Sequence, residues 1–160
     1  MKGMMSVILA LTLASASRAG AQPRPDFSGT WTMDASRSDS AIQNEPIKHF
    51  TVVIAQTANE MTIESTRDGQ TTTFTYRLDG VESKLPDGVA TTHWEGSTLV
   101  TEMTRDIRGA TVTTKESRHL DPGAKEMLVE TIVVVQHGYS LRGTRNYGAG
   151  KDVFVRVNQK

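Results

Sequence analysis

Several charged residues of this 160-residue chain fall at the same alternating positions as large apolar residues. Residues two apart on a β-strand face the same side, so these charges point into the interior if the apolar residues do. A buried charge is costly unless a partner or a ligand neutralises it. One β-bulge would instead turn the set toward water, and the pattern alone leaves both outcomes open. The residues concerned are Arg105, Glu116, Arg118 and Arg145.

The other residue types that support catalysis or metal binding lack the necessary spacing. The histidines form no H-x-H or H-x-x-x-H pair, and the chain contains no cysteine. No G-x-S-x-G elbow, P-loop or G-x-G-x-x-G is present. We therefore predict no catalytic residue, no metal site and no cofactor. Carboxylates that meet across a lumen could still do acid–base chemistry, so an enzyme remains the alternative. The histidines are His49, His93, His119 and His137.

The elements that must position these residues are β-strands. Beyond Ile47, turn signals such as Asp68-Gly69 and Arg108-Gly109 recur at short intervals. Threonine, valine, isoleucine and aromatic residues alternate between the turns, most clearly in the run 71–78. No convincing helical period follows, although Asp34 could cap a short helix. The pattern predicts ten or eleven strands, depending on whether Pro86-Asp87-Gly88 divides one.

Strands joined only by short turns form an antiparallel up-and-down meander. A flat sheet of ten strands would expose two edges, and closure into a barrel removes them. We therefore predict an all-β protein with a single antiparallel up-and-down barrel, whose first strand pairs with the last, residues 152–157. A turn at Gly148-Ala149-Gly150 would precede that last strand. A two-sheet sandwich is the competing architecture, but regular short turns favour the barrel.

The motif F-x-G-T-W at residues 27–31 opens the first strand. At the start of a β-meander it resembles the calycin superfamily of lipocalins and fatty-acid-binding proteins. In those families a basic residue near the end of the chain packs across the tryptophan, and Arg156 is the matching residue here. Residues 94–100 resemble the W-[DE]-G-x-x-L hairpin of the fatty-acid-binding branch, and the opening also resembles small secreted bacterial lipocalin-like proteins. The resemblance implies structural roles for Gly29, Trp31 and Arg156.

The N-terminus has the pattern of a secretory signal. Lys2 precedes a short apolar stretch, and the A-x-A sequence at residues 19–21 predicts cleavage before Gln22. We expect a signal peptide over 1–21, a linker over 22–26, the barrel over 27–157 and a tail over 158–160. No later apolar run is long enough to span a bilayer. An exported, periplasmic or extracellular protein is the prediction. Cleavage removes Lys2 and Arg18 and lowers the formal charge from 0 to −2, which is unlike a nucleic-acid binder.

The predicted function is binding of a small apolar or amphipathic molecule in the barrel cavity. Arginines of the lumen would hold an anionic or polar end through paired hydrogen bonds. Arg145-x-Tyr147 resembles the R-x-Y pair that holds a carboxylate in fatty-acid-binding proteins. Two alternatives are a cavity enzyme and a filled, ligand-free interaction module, in which Glu116 neutralises one of the arginines. The predicted ligand-binding residues are Phe74, Tyr76, Met103, Arg105, Arg118, Leu141, Arg145 and Tyr147. For Glu130, the more apolar opposite face predicts an outward side chain.

Overall fold

The computed structural model describes residues 24–41, 47–137 and 145–157. Within these ranges it contains ten β-strands and one short 3₁₀-helix, Ala35–Arg37. As expected, Asp34 caps this helix, because its carboxylate accepts a hydrogen bond from the Ser36 backbone N–H. The strands are β1 (Gly29–Met33), β2 (Phe50–Gln56), β3 (Glu60–Arg67), β4 (Gln70–Arg77), β5 (Glu82–Leu85), β6 (Gly88–Glu95), β7 (Thr98–Ile107), β8 (Ala110–Leu120), β9 (Glu126–His137) and β10 (Arg145–Arg156).

The strands form one antiparallel sheet that curls into a nearly closed barrel. The spatial order is β4-β3-β2-β1-β10-β9-β8-β7-β6-β5, so the first and last strands pair, with Trp31 opposite Arg156. The ends of the sheet, β4 and β5, meet at a junction without a strand ladder. There the Arg77 backbone N–H donates to Ser83 Oγ at 2.9 Å. The predicted up-and-down barrel is confirmed, and Pro86-Asp87-Gly88 does divide β5 from β6.

Alternation decides which side chains fill the barrel. On β3, Met61 and Ile63 are buried, whereas Glu64, which follows Ile63 and faces the other side, is exposed. On β9, Met127 and Val129 are buried and Glu130 is exposed. This agrees with the outward Glu130 predicted because the opposite face of the strand is the more apolar. The interior side chains form one continuous apolar cluster, which is the main source of stability in a fold of this size.

The turn predicted at Gly148-Ala149-Gly150 is wrong, because β10 runs unbroken through it. Gly150 instead permits the segment around Asp39 to cross close over β10. A Cβ atom on Gly150 would lie 2.0 Å from the Ala41 nitrogen and 2.6 Å from the Asp39 carbonyl oxygen. Asp39 and Lys151 exchange two backbone hydrogen bonds of 2.8 and 2.7 Å at this point. Residues 34–41, which we call the strap, therefore lie directly across β10.

The predicted signal peptide and C-terminal tail lie outside the described residues, as does part of the linker. Their boundaries stay predictions. Within the described ranges, the structure shows no helix with the length and apolar character needed to cross a bilayer.

Candidate functional site

The candidate site is a cavity of about 90 Å³ inside the barrel, between β2 and β3 on one side and β8 to β10 on the other. Most of its wall is apolar, but several polar groups reach into it from β8 and β10. This combination of an apolar wall with a few convergent polar groups is typical of small-molecule sites. The apolar lining residues are Phe50, Val52, Ile63, Met127, Val129 and Phe154, and the polar ones are Ser65, Glu116, Arg118, Thr131 and Asp152.

Arg118 is the main cation of the cavity and is only 8% exposed. Two residues before it on the same face of β8, Glu116 accepts a hydrogen bond from Arg118 Nη2 through Oε2. The other terminal nitrogen, Nη1, is buried and has no hydrogen-bond partner among the described residues. A buried guanidinium N–H without an acceptor is costly, so Arg118 has unused capacity to bind an acceptor group.

Asp152 enters the same cavity from β10 and is also only 8% exposed. Ser40 of the strap donates a hydrogen bond to Asp152 Oδ1. Burial raises the pKa of the Asp152 carboxyl, with the Ser40 hydrogen bond opposing the rise. The sequence predictions missed this residue. Its alternation with Phe154 on the last strand was the signal that could have found it.

The strand register brings Arg118 and Asp152 to opposite sides of one side chain. Val129 on β9 lies opposite Arg118 of β8 and also opposite Asp152 of β10. Residues directly opposite in antiparallel strands face the same side, so all three point into the lumen. Two strand spacings, about 9–10 Å, separate the two polar residues along the wall.

Four of the predicted ligand-binding residues lie together elsewhere, at the junction of β4 and β5. The Tyr76 hydroxyl donates to Met103 Sδ at 3.5 Å, and burial raises the Tyr76 pKa to about 12. The guanidinium carbon of Arg105 lies 5.3 Å from the Phe74 ring centroid. These contacts close the junction with side chains where the strand ladder is missing.

Arg105 is half-buried on the same face of β7 as the buried Met103, but its charge is already neutralised. Its Nε and Nη2 donate to the two carboxylate oxygens of Asp87 at 2.7 and 2.6 Å. This bidentate pair lowers the pKa of Asp87 and raises that of Arg105. Arg105 therefore contributes to the junction and not to the cavity around Arg118.

The prediction that Tyr147 lines the lumen is wrong, because its side chain is 66% exposed on the outer surface. On an unbroken β10, Tyr147 has the parity opposite to that of Asp152 and Phe154, which point inward. Arg145 pairs with Gln136 at the start of the same strand, but its side chain lies outside the described structure. Leu141 also lies outside the described residues. Neither can be assigned to the site.

No protein-family model matches the chain, and no curated protein matches it. Solved structures do resemble it, although their sequences are only distantly similar. Human cRBP IV has a TM-score of 0.55 and 14% identity, over 83% of this chain and 99% of that chain. The wild-type fluorescent protein UnaG has a TM-score of 0.52 and 15% identity, over 82% of this chain and 97% of that chain.

The fatty-acid-binding protein 1 of Echinococcus granulosus has a TM-score of 0.51 and 13% identity, over 82% of this chain and 98% of that chain. Identities this low establish a shared fold and not a shared ligand. Together with the strand order and the Trp31–Arg156 pairing, they show that this chain has the calycin fold, in the form of a fatty-acid-binding-protein-like barrel.

Proposed function

We propose that this protein binds a small amphipathic molecule inside the barrel, with an acceptor group of the ligand at Arg118 and its apolar part against the surrounding wall. One observation carries the proposal: the buried Nη1 of Arg118 has no acceptor among the described residues, and Arg118 lines a cavity whose wall combines apolar and polar side chains. The carboxylate or hydroxyl oxygen of a ligand would satisfy this donor.

The similar structures support this choice without identifying the ligand. One of them is named a fatty-acid-binding protein. The cavity here, about 90 Å³, is smaller than the roughly 300–1,000 Å³ typical of pockets for drug-sized ligands. A short ligand therefore fits this barrel better than a long-chain fatty acid does.

The test is calorimetric titration with three probes of equal chain length: hexanoate, 1-hexanol and hexylamine. We expect hexanoate and hexanol to bind, because their oxygen atoms can accept a hydrogen bond from Arg118. Hexylamine should not bind, because its ammonium group can only donate. Arg118→Met should weaken hexanoate binding at least about tenfold, the value of one charge-assisted hydrogen bond. Arg118→Met leaves the buried Glu116 carboxylate without a cation. The double variant Glu116→Gln/Arg118→Met removes that unpaired charge as well and serves as the second comparison.

Arg105→Met is the matched control, because Arg105 is also an inward arginine but is neutralised by Asp87 at the junction. It should leave the hexanoate affinity within about threefold, which is less than the loss of one hydrogen bond. If none of the probes binds, the barrel is a filled module that binds no small molecule, and the proposal is wrong.

We further propose that the protein is exported, on the strength of the signal-like pattern at residues 1–21. Expression of the full chain followed by N-terminal sequencing of the mature protein tests this. A mature N-terminus at Gln22 would support export, and an intact Met1 in the purified cellular protein would contradict it.

A further inference from the structure

The charges inside the barrel do not balance when both carboxylates are ionised. Arg118 and Glu116 neutralise each other through their hydrogen bond, which leaves the carboxylate of Asp152 as an additional negative charge. From the elements packed around it, the further charges that act on Asp152 are Arg67 of β3, which lowers its pKa, and Glu116 of β8 and Asp39 of the strap, which raise its pKa. Arg67 is exposed at the end of β3, so its charge is screened by water.

The position of Asp152 matters for any anion that binds at Arg118. Both residues flank Val129 and point into the same cavity. Because that cavity is only about 90 Å³, an anionic group bound in it at Arg118 would lie near the Asp152 carboxylate. Two like charges at this separation repel strongly, and one of them is readily neutralised by a proton.

We propose that Asp152 takes up one proton when a short-chain carboxylate binds at Arg118, so that binding is coupled to pH. This inference rests on the proposed function and adds its regulation. The protonated Asp152 carboxyl then changes from an acceptor into an O–H donor, and it can donate to the ligand while Arg118 donates from the opposite side. The carboxylate of the ligand would be held between two donors instead of between a donor and a charge.

Two further observations agree with this assignment. Burial already raises the pKa of Asp152 in the empty barrel, so a further rise on anion binding brings it toward the neutral range. The Ser40 hydroxyl donates to one carboxylate oxygen, Oδ1, which leaves the other oxygen free to carry the proton. The orphaned N–H of Arg118 argues against a cationic ligand, which would add a donor where an acceptor is needed.

The test is calorimetric titration of hexanoate into the full mature protein in two buffers that differ in ionisation enthalpy. We expect an uptake of about one proton per hexanoate at a pH where free Asp152 is ionised, and a Kd that rises about tenfold per pH unit. Asp152→Asn should abolish the uptake and make the Kd independent of pH between 6 and 8. 1-Hexanol should bind without proton uptake in both proteins.

Two further variants keep the test decisive. Asp39→Asn removes the strap carboxylate that acts on Asp152 and should retain the full proton uptake of the wild type. Ser40→Ala removes the hydrogen bond that lowers the Asp152 pKa, so uptake should extend to higher pH. The Ser40 variant serves in place of Asp152→Asn if the latter fails to fold.

The results separate this inference from the proposed function. Unchanged proton uptake in Asp152→Asn, or none in the wild type, would overturn the inference while leaving hexanoate binding and the proposed function intact. Preferential binding of hexylamine, or no binding of any probe, would overturn both.

Discussion

The guanidinium carbon of Arg156 lies 4.1 Å from the centroid of the Trp31 ring, at the point where the first strand of the barrel pairs with the last. Arg156 Nη1 also donates to the Ser28 carbonyl oxygen, and its Nε donates to the Ala124 carbonyl oxygen at 2.8 Å. The arginine therefore connects three segments over a tryptophan that is 0% exposed. This is the contact that the F-x-G-T-W motif predicted, and it closes one end of the barrel.

Trp31→Ala should lower the free energy of unfolding by about 3–5 kcal/mol, because it removes a fully buried aromatic ring and leaves a cavity. Urea denaturation measures the effect. Arg156→Met retains much of the apolar stem and should cost less, about 0.5–2 kcal/mol for the lost cation–π contact. A larger loss in Arg156→Met than in Trp31→Ala would contradict the view that the tryptophan supplies most of this stability.

Gly29→Ala should destabilise the protein by about 1–3 kcal/mol for backbone strain, since Gly29 has a φ of 134°. The added Cβ would also lie 2.6 Å from Arg156 Nη1 and would displace the guanidinium from Trp31. Gly109→Ala is the control, because Gly109 has a positive φ of 77° but open space where the Cβ would be. Equal losses of stability in the two variants would show that the contact with Arg156 adds nothing.

Asp152→Asn should change how stability depends on pH. The folded state raises the pKa of Asp152, so it holds the proton more tightly than the unfolded chain does. The stability that this tighter proton binding provides is complete below the pKa that Asp152 has in the unfolded chain. It is lost as pH rises through the pKa that Asp152 has in the folded protein. The wild type should therefore lose stability relative to Asp152→Asn as pH rises from 4 toward neutrality, measured as the difference between their urea midpoints. A constant difference over this range would contradict the burial of this carboxyl.

The length of the preferred ligand follows from the volume of the cavity. In a series of carboxylates, each added methylene that is buried contributes about 0.8 kcal/mol, or about fourfold in Kd. We expect this gain to end among the short chains, because the cavity is only about 90 Å³. A gain that continued to long-chain fatty acids would show that the barrel expands around its ligand.

Gly150→Ala should loosen the strap, because the new Cβ would lie 2.0 Å from the Ala41 nitrogen. Hydrogen exchange measures this at the Lys151 amide, which donates to the Asp39 carbonyl oxygen, and at the Val153 amide, which donates to Ser38 Oγ. Both amides should exchange faster than in the wild type, while those of β3 remain protected. Unchanged protection at Lys151 would mean that the strap accommodates the methyl group.

The sequence by itself was sufficient to predict the antiparallel up-and-down order of the strands and the closure of the barrel. Alternation is a local property with a period of two, so it placed Arg105, Glu116 and Arg118 on the same faces as apolar neighbours and predicted an outward Glu130, but it left open whether the charged faces point inward. The first and last strands were predicted to pair because the edges of a ten-stranded sheet must be paired, whereas the contact of Arg156 with Trp31 was implied by the resemblance to the calycins.

Only the tertiary structure decided which of the interior charges meet, because the partners come from distant segments. Asp87 neutralises Arg105 at the junction, while Asp152 enters the cavity that Arg118 lines, on the far side of β9 from it. The sequence Gly148-Ala149-Gly150 resembles a turn locally, but Gly150 is required because the strap crosses the strand there. Since the strand is unbroken, Tyr147 faces outward. Alternation is set by neighbours two residues apart, whereas close crossings and charge pairing depend on chain segments far apart in sequence, which is why only the folded barrel reveals them.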